Sequence, residues 1–273
     1  MSSRFSQEPA LLIFDADNTL WDTNAVFREA QLALLRPFAE HVPNLSPEEE
    51  FVTLREIDRL LFQRLGKFEY DFRILATAIA HFHLQGLSVE DAVCGAMEGT
   101  DGALSPSDIA LVDQAHQDYS VALQVIPPLL PDTRHVLQTL REKRSLQDGL
   151  ALTLFSEGDP DRLERILMAH GFAGTNVFDA THIGPKSKES FTRFQEIGQG
   201  FLNLTNGSSS QTVVIGDSLK REIKCGNQIG ATTVYIPAGF MGAELPTVDD
   251  EKPAYTLSRL GELPGLTCDL HLL

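Results

Sequence analysis

A chain of 273 residues, 42% of them apolar, is large enough to bury a full core, which excludes a disordered polypeptide and a minimal disulfide scaffold. Charged residues make up 22%, the share of an ordinary soluble protein of one large domain or one domain plus an appendage. Lys and Arg total 22 against 38 Asp and Glu, a formal charge of −16. No global positive field draws in nucleic acid or an anionic membrane, and neither is expected as a partner.

In chain order, the start MSSRFSQEPA lacks the continuous apolar segment of a signal peptide, and no stretch approaches the roughly 18 apolar residues of a membrane span. A cytoplasmic protein is the expectation, which makes the sequons at Asn44, Asn203 and Asn206 accidental. Leu11 to Phe14 is a short unbroken apolar run, the signature of a strand buried on both faces, and it leads directly into Asp15. From Asp22 to Pro127 β-branched runs vanish and helical spacing takes over. Ser46-Pro47-Glu48-Glu49 reads as a capping box ahead of Phe51, Leu54, Ile57, Leu60 and Leu61. Further helices are predicted over 71–83, from Ser88 with Asp91, and over 107–123. His81 and His83 stand two apart and face different sides of their helix, a poor arrangement for a shared metal. Pro127-Pro128-Leu129-Leu130-Pro131 cannot continue a helix and reads as a hinge.

Beyond it, apolar runs return at 150–155, 212–215 and 232–236, with a weaker one at 177–183. Between them, Asp159 and Pro160 open a helix reaching His170 as N-cap and first-turn proline. Gly207 to Ser210 reads as a loop. Cys94, Cys225 and Cys268 are odd in number and lack the spacing of a zinc or redox motif, so they read as reduced small hydrophobes. Strand and helix in alternation imply an α/β fold, a doubly wound parallel sheet of Rossmann-like type. Its core is expected from 1–21 and 128–273, with a helical domain, 22–127, inserted after the first strand.

The chemistry gathers at strand ends. Asp15-Ala16-Asp17-Asn18-Thr19 places two carboxylates two residues apart at the end of a buried strand, where like charges repel and the surroundings are poorly solvated. An Asx-turn loop is the plain alternative. Val213 to Ile215 ends a second such strand, followed by Gly216, Asp217 and Ser218. Parallel strands point the same way, so Asp15 and Asp217 should emerge at one edge, where open α/β sheets bind ligands. Converging carboxylates there suit Mg2+, with Glu222 one turn into the next helix as an outer support. Ser156 offers a hydroxyl at a third strand end beside a helix start, a phosphate-binding geometry, although a serine there is commonly just a cap. Lys186 could balance the acids, although an exposed lysine is normally a solvated charge.

The segments FDADNTL (14–20), LFSEGD (154–159), PKSKESF (185–191) and VVIGDSLKREI (213–223) together resemble the haloacid dehalogenase superfamily of aspartate-nucleophile hydrolases, in the arrangement with a type 1 cap. The resemblance implies that Asp15 is a nucleophile forming an aspartyl phosphate and Asp17 a general acid and base. It implies that Asp15, the Asp17 carbonyl and Asp217 bind Mg2+, with Glu222 behind them. Asn18, Ser156, Glu157 and Lys186 would hold the phosphoryl group. Glu157 stands where asparagine is frequent, Glu222 where a second aspartate is usual, and Lys188 competes with Lys186. The acid at Asp17 points to a phosphatase of a small phosphorylated metabolite over a dehalogenase. A phosphomutase, or a non-catalytic member binding phosphorylated ligands, are the alternatives. Trp21 and Phe27 could line the cap interface or merely pack.

Overall fold

The computed structural model describes residues 9–273 except 42–45, 67–70, 100–103, 147–148, 175–176, 203–209, 239–243, 271 and 273. The three sequons and most of the Gly207–Ser210 stretch lie outside the described residues. The chain divides into two compact units, Met1–Asn24 with Ile126–Leu273, and Ala25–Val125.

The first unit is built on a six-stranded sheet in the order β3-β2-β1-β4-β5-β6, every neighbouring pair parallel. Its strands are β1 (Ala10–Asp15), β2 (Leu150–Ser156), β3 (Ala180–Ile183), β4 (Gln211–Gly216), β5 (Thr232–Tyr235) and β6 (Tyr255–Thr256). All six residues of β1 are buried, as a central strand covered on both faces requires. Alternation along β1 sorts its side chains. Leu12 and Phe14 join a core with Val136 and Leu140 of α6 (Thr133–Leu146) and Leu163 and Ile166 of α7 (Pro160–His170). Leu11 and Ile13 face Phe191 and Phe194 of α8 (Lys188–Gln199) and Cys225 of α9 (Lys224–Gln228) on the other side. This is the doubly wound, Rossmann-like α/β architecture. Successive strands run outward from β1 through β2 to β3 on one side, and from β4 through β5 to β6 on the other. The switch therefore falls between β1 and β4, and a crevice opens at their carboxyl ends.

Two strands differ from expectation. The weak run at 177–183 pairs as a strand only from Ala180; just before it Asp179 donates its amide to the Leu152 carbonyl (2.7 Å) and accepts the Leu152 amide on its side chain (2.9 Å) in place of its backbone carbonyl. β6 was not expected: two exposed residues carry no apolar alternation to read.

The second unit is helical: most of α1 (Thr23–Leu35), a 3-10 turn (Arg36–His41), α2 (Pro47–Leu65), α3 (Phe72–Gln85), α4 (Val89–Met97) and α5 (Pro106–Ala122). Seven successive residues of α3, Leu75 to His81, are buried, so this helix is surrounded on all sides, packed among Leu54, Ile57, Leu61, Val93 and Val112. The capping box at Ser46 and Glu49 is present. Helix α5 begins before Ser107, because Ser105 with Asp108 forms a second capping box and Pro106 occupies the first turn. Helix α3 runs past His83 to Gln85. All three cysteines are free: Cys225 is buried, Cys94 accepts from the Arg64 guanidinium (2.7 Å) and Cys268 is exposed. Among the described residues no helix is long and apolar enough to cross a membrane.

Candidate active site at the carboxyl edge of the sheet

Asp15 is the last residue of β1, 4% exposed. Its Oδ2 accepts the Thr19 hydroxyl at 3.0 Å, which closes the loop, and its Oδ1 accepts from the Lys186 ammonium. The same ammonium binds Glu222 Oε1, and the lysine side chain is only 3% exposed. Burial opposes the Lys186 charge, but Asp15 and Glu222 outweigh it and raise the pKa above the ordinary lysine value. Lys188 is instead the exposed first residue of α8, so Lys186 is the lysine the structure brings to the edge.

Asp217 follows β4 and is likewise buried. Glu222 reaches back from a π-helical turn, Leu219–Ile223, and its Oε2 accepts the Ser218 amide at 3.0 Å. Wide turns of this kind recur at functional sites. Gly216 makes that approach possible: a Cβ there would stand 2.4 Å from Glu222 Cγ. Each of Asp15, Asp217 and Glu222 offers a carboxylate oxygen, and the three lie within 4.8 Å of one another. Burial, joined by the neighbouring acids, raises Asp15 to about 6 and Asp217 to about 8 despite the pull of Lys186. Asp217 Oδ1 is buried without a hydrogen-bond partner. A buried, unpaired acceptor beside two further carboxylates is what a hard cation satisfies, and an all-oxygen donor set suits Mg2+. Both Glu222 oxygens accept from Lys186 and Ser218, and both Asp15 oxygens accept from Lys186 and Thr19, so Asp217 is the acid of the three that keeps a buried oxygen unpaired for the ion.

Asp17 occupies a different environment. Its Oδ1 accepts the Trp21 indole N–H (3.0 Å) and the Thr23 hydroxyl, and the Arg162 guanidinium stands 3.6 Å away. Trp21 is fully buried and stacks on His170, so the indole is a rigid donor. Among the described residues nothing hydrogen-bonds Asp17 Oδ2. A Cβ at Gly158 would lie 3.8 Å from that oxygen and 3.5 Å from Ser156 Oγ, so the glycine borders both the acid and the hydroxyl. Ser156, buried at the end of β2, accepts the Gly158 amide (3.2 Å), which leaves its hydroxyl hydrogen to donate elsewhere. Asp17, Trp21, Ser156, Gly158, Asp159 and Arg162 line a small cleft together with apolar residues of α7.

Two residues expected at the phosphate also make contacts within the protein. Asn18 adopts a left-handed φ of 60° and its Oδ1 accepts the Asn24 amide (2.9 Å), so it shapes the loop. Glu157 offers no donor: Oε1 accepts the Lys186 backbone amide (2.7 Å) and Oε2 the Arg221 guanidinium (3.1 Å). Its negative charge is thereby matched, and the carboxylate fixes the loop that carries Lys186. Sequence reasoning missed Arg162, Arg221 and Thr23, and left Trp21 undecided. Only Trp21 carried a usable signal, since a buried indole N–H demands an acceptor. Phe27 is 39% exposed.

A sequence profile of haloacid dehalogenase-like hydrolases matches residues 9–230. The chain belongs to this family. Solved haloacid dehalogenase-like structures share its fold. A hydrolase of the family from Xanthomonas campestris is 18% identical, with a TM-score of 0.59 over 97% of each chain. YfnB of Bacillus subtilis, solved with magnesium bound, is 18% identical, with a TM-score of 0.55 over 95% of this chain and 98% of its own. A candidate phosphatase from Clostridium difficile is 12% identical, with a TM-score of 0.54 over 98% of this chain and all of its own. No curated protein sequence matches the chain.

Proposed function

We propose that this haloacid dehalogenase-like hydrolase is a Mg2+-dependent phosphomonoesterase of a small phosphorylated metabolite in the cytoplasm, with the helical insert 22–127 as its cap domain. One observation carries the reading. Two carboxylates two residues apart sit in unlike settings: Asp15 is bound by a buried lysine, while Asp17 is fixed through one oxygen and keeps the other open toward the Ser156 cleft. Unlike environments for neighbouring acids assign them unlike roles. Asp15 attacks phosphorus, the ester P–O bond breaks as the new P–O bond forms, and Asp17 delivers a proton to the departing oxygen. Asp17 then takes a proton from water, which attacks the acyl phosphate and frees Asp15 and inorganic phosphate. Ser156 donates to a phosphoryl oxygen, and Lys186 neutralises charge developing there. Asp15, the Asp17 carbonyl and Asp217 would hold Mg2+, whose charge would stabilise the transferring phosphoryl group.

The test is hydrolysis of p-nitrophenyl phosphate by the full chain. Turnover should require Mg2+, stop with EDTA, and fall by about four orders of magnitude or more in Asp15→Asn, as expected when a nucleophile is removed. Retained turnover in that variant, or an isomerised sugar phosphate in place of free phosphate, overturns the reading.

A further inference from the structure

The Asp17 cleft holds one cation for which hydrolysis alone has no evident use. Arg162 lies in the first turn of α7 and its side chain is 23% exposed. Its backbone amide is capped by Asp159 (2.7 Å), so the residue's position on the helix is fixed. Its guanidinium pairs with Asp17 Oδ1 at 3.6 Å, longer than a hydrogen bond. Trp21 and Thr23 already hold that oxygen, so Asp17 does not depend on Arg162 for its orientation. Among the described residues no hydrogen bond uses the guanidinium. A planar fork of five donors, partly desolvated and unspent, is built to recognise a carboxylate or phosphate through paired hydrogen bonds.

Its place says which part of a substrate it meets. A general acid works within about 2.6–3.2 Å of the oxygen it protonates. Arg162 stands against the same carboxylate, so the portion of the leaving group lying one or two carbons beyond the ester oxygen comes within its reach. We propose that Arg162 is a specificity-determining residue that binds a second anionic group, a carboxylate or phosphate, on the leaving group of the substrate. This selects compact phosphate esters bearing that charge close to the scissile bond. The inference rests on the phosphomonoesterase reading and adds a substrate class to it. It also adds a local positive charge for an anionic substrate on a chain whose formal charge is −16.

The experiment compares kcat/KM for 2-phosphoglycolate with that for ethyl phosphate, which has the same chain length without the carboxylate. The wild-type protein should favour the charged ester by roughly ten- to a hundredfold, as charge-assisted hydrogen bonds supply. Arg162→Ala should bring the ratio close to one, chiefly through KM for phosphoglycolate, and Arg162→Lys should keep part of the preference by restoring a point charge. A ratio unchanged in Arg162→Ala, or an equal fall for both esters, would place Arg162 in service of Asp17 alone and overturn the proposal. A wild-type protein that turns over neither ester nor p-nitrophenyl phosphate would instead defeat the phosphomonoesterase reading beneath it.

Discussion

Among the described residues the helical unit buries no carboxylate, ammonium or guanidinium group, whereas the sheet unit buries three carboxylates and a lysine at one edge. Around α3 the interior is Leu54, Ile57, Leu61, Leu75, Ile79, Val93 and Val112, and the polar side chains buried with them are amides, hydroxyls and the His81 imidazole, which pairs with Gln85 (2.8 Å). Thr77 donates to the Arg73 carbonyl of its own helix (2.9 Å), and burial, joined by Asp58, raises the Tyr119 phenol far above its ordinary pKa. At the ends of β1 and β4, Asp15, Asp217 and Glu222 share one desolvated space with Lys186. Such an arrangement is poor evidence of stability, since pairing seldom repays the desolvation of buried charges. The difference teaches where each unit's stability resides. The helical unit depends on filled volume, and the sheet edge depends on charge balance, which ions and protons can tip.

The sharpest way to break this contrast is to remove the cation from the edge. Lys186→Met leaves three buried carboxylates facing one another, and breaking a buried pair on one side costs about 3–5 kcal/mol. Urea unfolding of the metal-free variant should show that loss, together with lost turnover; unchanged stability would mean the acids do not depend on Lys186. Removing volume from the helical unit comes next. Ile79→Ala, at a position fully buried in α3, should cost about 2–5 kcal/mol through lost transfer and cavity terms. That cost should be the same with and without Mg2+. A cost that varied with the ion would show that the helical unit shares the edge's electrostatics.

How much of this was legible in sequence follows from which interactions are local. β1 and β4 could be read because strands buried on both faces are unbroken apolar runs, and parallelism then places Asp15 and Asp217 at one edge without any coordinates. The start of α7 followed from Asp159 and Pro160, and the left-handed Gly171 ends the helix at His170. Ser105 was legible too, since Ser-Pro with Asp108 is the same capping signal as at Ser46. The settings of the two key acids were not legible. Trp21 and Thr23 hold Asp17 from just beyond it in the same loop, a local contact whose path no periodicity sets, and the approach of Arg162 depends on where a helix distant in sequence comes to rest. Glu157 misled for the same reason. An acid beside a phosphate site reads as repulsive until Arg221 and the Lys186 amide, both far along the chain, are found on its oxygens.

The finest test of the contrast uses protons against metal. Asp15 at about 6 and Asp217 at about 8 lie above the ordinary aspartate value of 3.8, so the metal-free native state binds more protons than the unfolded chain between about pH 4 and 8. Stability then falls as pH rises through that window: the contribution of the protonated acids is fully present below their unfolded pKa and is lost as pH passes the folded values. Mg2+ competes for the same oxygens. At pH 8 Asp15 is ionised and Asp217 about half so, and the ion relieves their repulsion, so a concentration 100 times its dissociation constant at that pH should add about 2.7 kcal/mol. At pH 5 protons occupy the site and the same concentration should add far less. Urea midpoints at the two pH values, with and without Mg2+, measure both slopes. Equal gains at pH 5 and 8, or metal-free stability that climbs across the window, would mean that the edge does not hold its acids as strained partners awaiting a cation.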